Sequence, residues 1–233
     1  MIFRLFYRCL IVFLCLGSGQ SYAKYEMHFF CPDFPPYTTV DSTGRNVGTG
    51  LDKIKPVLDS MGVTYTIEIG SNHGRALAEL KSGRSDGFFM ASQNKERDKY
   101  AVFSESVMIN RWVWIVLSDQ SNTFSSTPKP GYLVASLLNT NTERWLTSSG
   151  FTLGHSADNI ESLIAMLDSR QVNAVLVAEE VYNVRYKDHP NYKVILQEEK
   201  EFGVYVSRIF LRRHPQFMEE FNRTIRMNRQ GKE

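Results

Sequence analysis

The sequence is short of cysteine, with three in 233 residues, at Cys9, Cys15 and Cys31. That is too few for a disulfide-stapled scaffold. It has no excess of charge, with 27 Lys and Arg against 25 Asp and Glu, and no basic tract, so nucleic acid is not an expected partner. Its mean hydropathy of −0.28 excludes a polytopic membrane protein. Metal motifs are missing too. The histidines are His28, His73, His155, His189 and His214; no two are spaced to share a helix face, and none lies beside Cys31. Structural zinc is thereby excluded, and no cofactor is expected. G-x-S-x-G, P-loop and G-x-G-x-x-G motifs are absent. With 42% hydrophobic and 22% charged residues, the composition is that of a globular protein, which excludes disordered, collagen-like and coiled-coil classes.

What is present begins at the N-terminus. Arg4 and Arg8 precede an apolar run, Cys9 to Gly17, and small residues flank Tyr22 at Ser21 and Ala23. This pattern reads as a secretory signal peptide, residues 1–23, cleaved to leave Lys24 first. An uncleaved anchor is the alternative, but the run is too short to span a bilayer. Cys15 follows Val12-Phe13-Leu14 rather than small residues, so a lipid anchor is not expected. Loss of Arg4 and Arg8 leaves cations and anions balanced. Cys31 is then alone and reads as a small buried residue near a strand end.

Beyond residue 24, short apolar runs alternate with helical spacings. Strands are expected at Tyr25–Phe30, Val63–Ile69, Phe88–Ala91 and Met108–Leu117, with helices around Leu51–Met61 and Arg75–Lys81. Pro56 inside the first helix predicts a kink or late start. Ser118 to Gly131 is polar and rich in turn formers, and a boundary is expected there. The alternation then restarts: strands at Tyr132–Ala135, Ala174–Val177, Tyr192–Leu196 and Phe202–Val206, and helices at Asn141–Ser148, Asp158–Ser169, Glu179–Arg185 and from His214 onward. Asp158 with Glu161 reads as a capping box. Arg212-Arg213 reads as a solvated turn. Strands alternating with helices imply mostly parallel sheets covered by helices, here in two small doubly wound lobes.

One position breaks a local rule. Asn94 is a good N-cap, which puts Arg97 in the first turn of a helix, where a cation opposes the dipole. Free N–H groups at a helix start, a forked guanidinium and the strand end Met90-Ala91-Ser92 together make a carboxylate receptor. An exposed arginine paired with Glu96 or Asp98 is the alternative. Phe34-Pro35-Pro36-Tyr37, after the first strand, suits the wall of a pocket at the carboxyl edge of a sheet. Simple packing is the preferred reading for Phe34, Trp112 and Trp114.

Phe34-Pro35-Pro36-Tyr37, Gly50-Leu51-Asp52, Leu80 to Asp86 (LKSGRSD), Glu96-Arg97, Phe103-Ser104 and Arg170 to Ala174 (RQVNA) come in an order that resembles bacterial extracellular solute-binding proteins of family 3, the periplasmic receptors for polar amino acids. The resemblance covers essentially all of residues 24–233. It implies a two-lobed α/β flytrap, with lobe one at 24–117 plus 202–233, lobe two at 118–201, and a hinge of two crossing strands, Trp112–Leu117 and Phe202–Val206. It also implies a periplasmic monomer that closes on a small carboxylate-bearing, amino-acid-like solute and delivers it to an inner-membrane ABC-type permease or a membrane sensor. The ligand-binding set it implies is Tyr37, His73, Met90, Ala91, Ser92, Arg97, Thr140, Asn141 and Glu179, with Arg97 on the ligand carboxylate. The acid that holds an amino acid's ammonium in the family would stand at Ala178; here Glu179 is next to that position. The alternatives are a dehydratase-like lyase acting on a cyclic carboxylic acid, for which His73, Glu179 and Glu180 are the candidate acid–base groups, and a ligand-free partner protein.

Overall fold

Apolar runs of period two and segments of period 3.6 alternate along the chain, and they fold into eleven strands and eight helices in the computed structural model, which describes residues 24–230. The expected signal peptide lies outside the described residues. No helix among those described is long and apolar enough to cross a membrane.

The sheet is built in two parts. In the first, β1 (Tyr25–Pro32) runs parallel to β4 (Val63–Gly70) along its whole length and touches β5 (Gly87–Ala91) through Phe29 and Gly87. In the second, β8 (Leu133–Leu137) lies parallel between β9 (Thr152–Ala157) and β10 (Ala174–Ala178), and β10 pairs antiparallel with β7 (Met108–Leu117). One sixteen-residue strand, β11 (Tyr192–Ser207), belongs to both. Its residues Tyr192–Phe202 pair with β7, and Gly203–Ser207 pair with β5 and with β6 (Ala101–Phe103). A small hairpin, β2 (Thr39–Val40) with β3 (Asn46–Val47), completes the strands.

The helices are α1 (Thr49–Ser60), α2 (His73–Lys81), α3 (Lys95–Asp98), α4 (Asn141–Ser148), α5 (Ile160–Asp168), α6 (Glu179–Tyr186), α7 (Arg208–Arg213) and α8 (Phe217–Gln230). Leu51, Ile54, Val57 and Leu58 bury one face of α1, and α8 packs on it with Phe217, Phe221 and Ile225 buried. A second apolar cluster gathers Trp114, Tyr132, Leu146 and Phe151.

Several expectations change. Tyr192–Leu196 and Phe202–Val206 are one strand, because the charged stretch between them, Gln197 to Glu201, has β7 as a pairing partner. Strand β7 pairs with Tyr192–Phe202 of β11 along its length, and β11 passes from β7 to β5 and β6 between Phe202 and Gly203. Strand β9 was not expected. Its sequence TLGHSA is polar and carries a glycine, which an edge strand tolerates. Helix α5 is capped by Asn159, whose side chain accepts from the Ser162 N–H, rather than by Asp158 with Glu161. Arg212 and Arg213 close helix α7, and Arg213 reaches Asp86 at 3.2 Å. Helix α1 runs on through Pro56 from an early start at Thr49.

That early start depends on close backbone approach. Gly48 has φ 136°, and the Gly50 N–H donates to the Tyr37 carbonyl at 2.9 Å. A Cβ on Gly50 would run into the Met90 side chain and that carbonyl. Gly50→Val should therefore cost about 1–3 kcal/mol by overpacking. Urea denaturation reads this directly, and an unchanged midpoint would contradict the close approach.

Candidate functional site

Two loops face each other across the junction of the two sheet parts. The first leaves β5. Met90 has φ +57°, a left-handed conformation rare for a side chain of its size. Beside it the pairing of β11 with β5 shifts register at Gly203 and Val204. The chain Ala91–Asn94 is thereby turned toward the second part. The second loop leaves β8, where Asn139 has φ +60° and Thr140 caps α4 by accepting from the Glu143 N–H.

A cavity lies between these loops. Its walls are Phe34, His73, Ala91, Ser92 and Arg97 on one side and Leu137, Thr140, Asn141, Thr142 and Ala178 on the other, with Asn110, Trp112 and Phe202 from the paired strands β7 and β11. The free space they leave is about 20 Å³, the room of a single water molecule.

Arg97 is 2% exposed. One guanidinium nitrogen, Nη1, donates to the Ser92 carbonyl at 2.8 Å, and the group lies over the rings of Phe88 and Tyr205 at 5.6 and 5.9 Å. Its Nε has no hydrogen-bond partner, and neither does the buried Ser92 Oγ. None of the ion pairs among the described residues involves Arg97. The two acids beside it in sequence are engaged elsewhere. Glu96 pairs with Arg144 and with Lys81, and Asp98 accepts from the Tyr205 hydroxyl at 3.0 Å. Burial draws the Arg97 guanidinium down to about 10, so it stays charged at neutral pH.

The expected role of the helix start changes. Asn94 does cap α3, but its side chain takes the Arg97 N–H at 2.9 Å. Helix α3 is only four residues long, so the receptor rests on the guanidinium and Ser92, not on free N–H groups. Asn94 works across the gap instead. Its Nδ2 donates to Asn141 Oδ1 at 2.7 Å, and Asn141 Nδ2 donates to the Ser92 carbonyl at 3.0 Å. Arg144 of α4 completes the bridge by pairing with Glu96.

His73 donates from Nε2 to the Met90 carbonyl at 3.2 Å, a partner that can only accept, so Nε2 carries the proton. Burial, with Arg97 second, pushes this imidazole down to about 3, so it is neutral at physiological pH. Phe34 meets it edge-on at 5.0 Å. Thr140 donates to the Leu137 carbonyl at 2.6 Å, and its hydroxyl joins those of Thr142 and Ser136 in a buried chain.

Six of the nine expected residues therefore line the cavity: His73, Ala91, Ser92, Arg97, Thr140 and Asn141. Three do not. Tyr37 lies behind the wall, stacked on Phe34, and donates to Asn110 Oδ1 at 3.2 Å; burial raises its phenol, which stays a donor. Met90 contributes its carbonyl to His73 and packs its side chain against Gly50. Glu179 is held by Arg111 at 2.9 Å, away from the lining, while Ala178 puts its methyl there. Phe34 and Trp112, read as packing residues, are walls. Asn110 was missed, although a buried amide two residues before Trp112 on an apolar strand was the available signal.

The family model for bacterial extracellular solute-binding proteins, family 3, matches residues 29–233. Among curated proteins no sequence matches. Three solved structures give the scale of the structural likeness. The ancestral amino acid-binding protein AncCDT-1, a precursor of cyclohexadienyl dehydratase, has a TM-score of 0.71 at 17% identity, over 88% of this chain and 90% of that one. The arginine-bound form of truncated ArgBP from T. maritima has 0.67 at 19%, over 86% and 95%. The substrate binding protein of an amino acid ABC transporter has 0.68 at 19%, over 88% and 94%. At such identities the likeness shows the fold, the two-lobed α/β architecture of periplasmic amino-acid-binding proteins.

The Glu96–Arg144 bridge has a pH signature. Hydrogen bonds from Arg144, then from Lys81, hold the Glu96 carboxyl at about 2, below its ordinary 4.5. A carboxylate lowered in the folded protein stabilises it in full above the unfolded value and loses that contribution as pH falls through the folded one. Glu96→Gln should lower the melting temperature at pH 7. Its difference from the parent should shrink as pH drops from 4.5 toward 2, and a difference independent of pH would contradict the bridge.

Proposed function

The chain belongs to the bacterial extracellular solute-binding proteins of family 3, and on that premise we propose that it binds a small carboxylate-bearing solute in the cleft lined by Ser92 and Arg97. The observation that carries this reading is a buried guanidinium whose Nε has no partner, beside a buried hydroxyl that also has none. A carboxylate on Arg97 Nε and Ser92 Oγ satisfies both with charge-assisted hydrogen bonds. His73, Ala91, Thr140 and Asn141 form the surrounding walls, and Tyr37 supports Phe34 from behind.

The lobes that close on the ligand follow the sheet partners. Lobe one comprises residues 24–107 with those from 203 onward, and lobe two is 108–202. Rotation about the segments between β6 and β7 and around Phe202-Gly203 opens the cleft by a hinge. We place the working protein in the periplasm, as a monomer without residues 1–23, handing its solute to an inner-membrane permease or reporting it to a membrane sensor.

The lyase reading needs a group that moves a proton. Neither Asp nor Glu lines the cavity, Glu179 is paired with Arg111, and burial leaves His73 a weak base at about 3. Binding without chemistry is therefore the reading carried forward.

Removing Arg97 from a closed cleft should cost about 2–5 kcal/mol of ligand binding. Calorimetry with a panel of short carboxylates should give Arg97→Ala affinities weaker by tens of fold or more, with circular dichroism unchanged. Full affinity in that variant would overturn the site.

A further inference from the structure

The same cleft has a charge and hydrogen-bond inventory that discriminates among carboxylates. Its lining carries one formal charge, that of Arg97. At the end of β10 the lining residue is Ala178, which carries no charge. Glu179, the next residue, is held by Arg111 at 2.9 Å, and Glu143 accepts from the Asn139 N–H and the Ser156 hydroxyl.

The carbonyl oxygens at the cavity are already engaged by protein donors and carry no formal negative charge. The Ser92 carbonyl already accepts from both Arg97 Nη1 and Asn141 Nδ2, the Met90 carbonyl from His73, and the Leu137 carbonyl from the Thr140 hydroxyl. An ammonium brought in here would lose its water, find no carboxylate in the lining, and share the space with Arg97. Burying a cation unpaired beside a like charge is strongly unfavourable. Arg97 Nε, which can only donate, calls for an anion, and the unpartnered Ser92 Oγ can donate to the same group.

Size acts in the same direction. The free space is about 20 Å³, and the Asn94–Asn141 and Glu96–Arg144 contacts join the two loops that enclose it. A ligand larger than a water molecule must part the loops, and a short one parts them least.

We propose that the solute is a short carboxylate without an ammonium group, not a free α-amino acid. This rests on the binding reading above. The test is calorimetry of the protein with matched pairs: acetate against glycine, propionate against alanine, and glutarate against glutamate. The expected result is at least tenfold tighter binding of the ammonium-free member, strongest in the shorter pairs, and lost in Arg97→Ala. Tighter binding of the amino acids with the same dependence on Arg97 would overturn this inference and leave the binding function standing. If Glu179→Gln then abolished it, Glu179 would be the acid that the ammonium meets. Tightest binding by the five-carbon acids would also overturn it. Binding by neither member of any pair would remove the function reading and the inference together.

Discussion

The structure turns on a buried arginine that no carboxylate among the described residues meets. A buried guanidinium is tolerated only where its donors and its charge find partners. Arg97 finds part of what it needs in the Ser92 carbonyl and in the faces of Phe88 and Tyr205. The residues that hold these groups explain much of the surrounding architecture. Tyr205 lies on the stretch of β11 that pairs with β5, and its hydroxyl accepts from the Asn94 N–H. Asn94 in turn caps the helix that carries Arg97. The left-handed Met90 and the register shift opposite it aim this whole group across the sheet junction.

The bridge between the two sheet parts is built from the same few residues. Ser92 offers its carbonyl to Arg97 and to Asn141 at once, and Asn94 serves both as a helix cap and as a donor to Asn141. On the binding reading proposed above, closure and ligand recognition are coupled through shared residues. A solute that engages Arg97 Nε and Ser92 Oγ touches the residues that hold the two parts together, which is how a hinged protein converts small differential contacts into a population shift.

Much of this was legible in the sequence. The break in helix-charge preference singled out Arg97, which the structure places, buried, in the cavity lining, because a cation in a first turn needs a reason. The alternation of strands and helices implied the α/β architecture, and the clean spacing of Ile160, Leu163, Ile164 and Leu167 placed the buried face of α5. What was not legible is non-local. Nothing in the run from Tyr192 to Val206 says that its charged middle is a strand, since only pairing with β7 makes it one. Glycine-bearing β9 takes its state from β8 in the same way. Tyr37 was a sound choice for a pocket wall by composition, yet Phe34 occupies the wall and Tyr37 stacks behind it, a decision made by packing. Trp112 and Trp114 share a strand face, but Trp112 lines the cavity while Trp114 is buried against Phe124, Trp145 and Phe151.

The central claim is that Arg97 Nε and Ser92 Oγ are the unfilled half of an anion site. A crystal structure of the protein grown with an excess of acetate tests it most directly. The account predicts a carboxylate within hydrogen-bond distance of both atoms, enclosed between the loops after β5 and β8. A structure in which Arg97 is swung out to solvent, or in which both atoms are satisfied by protein groups while the carboxylate lies elsewhere, would contradict it.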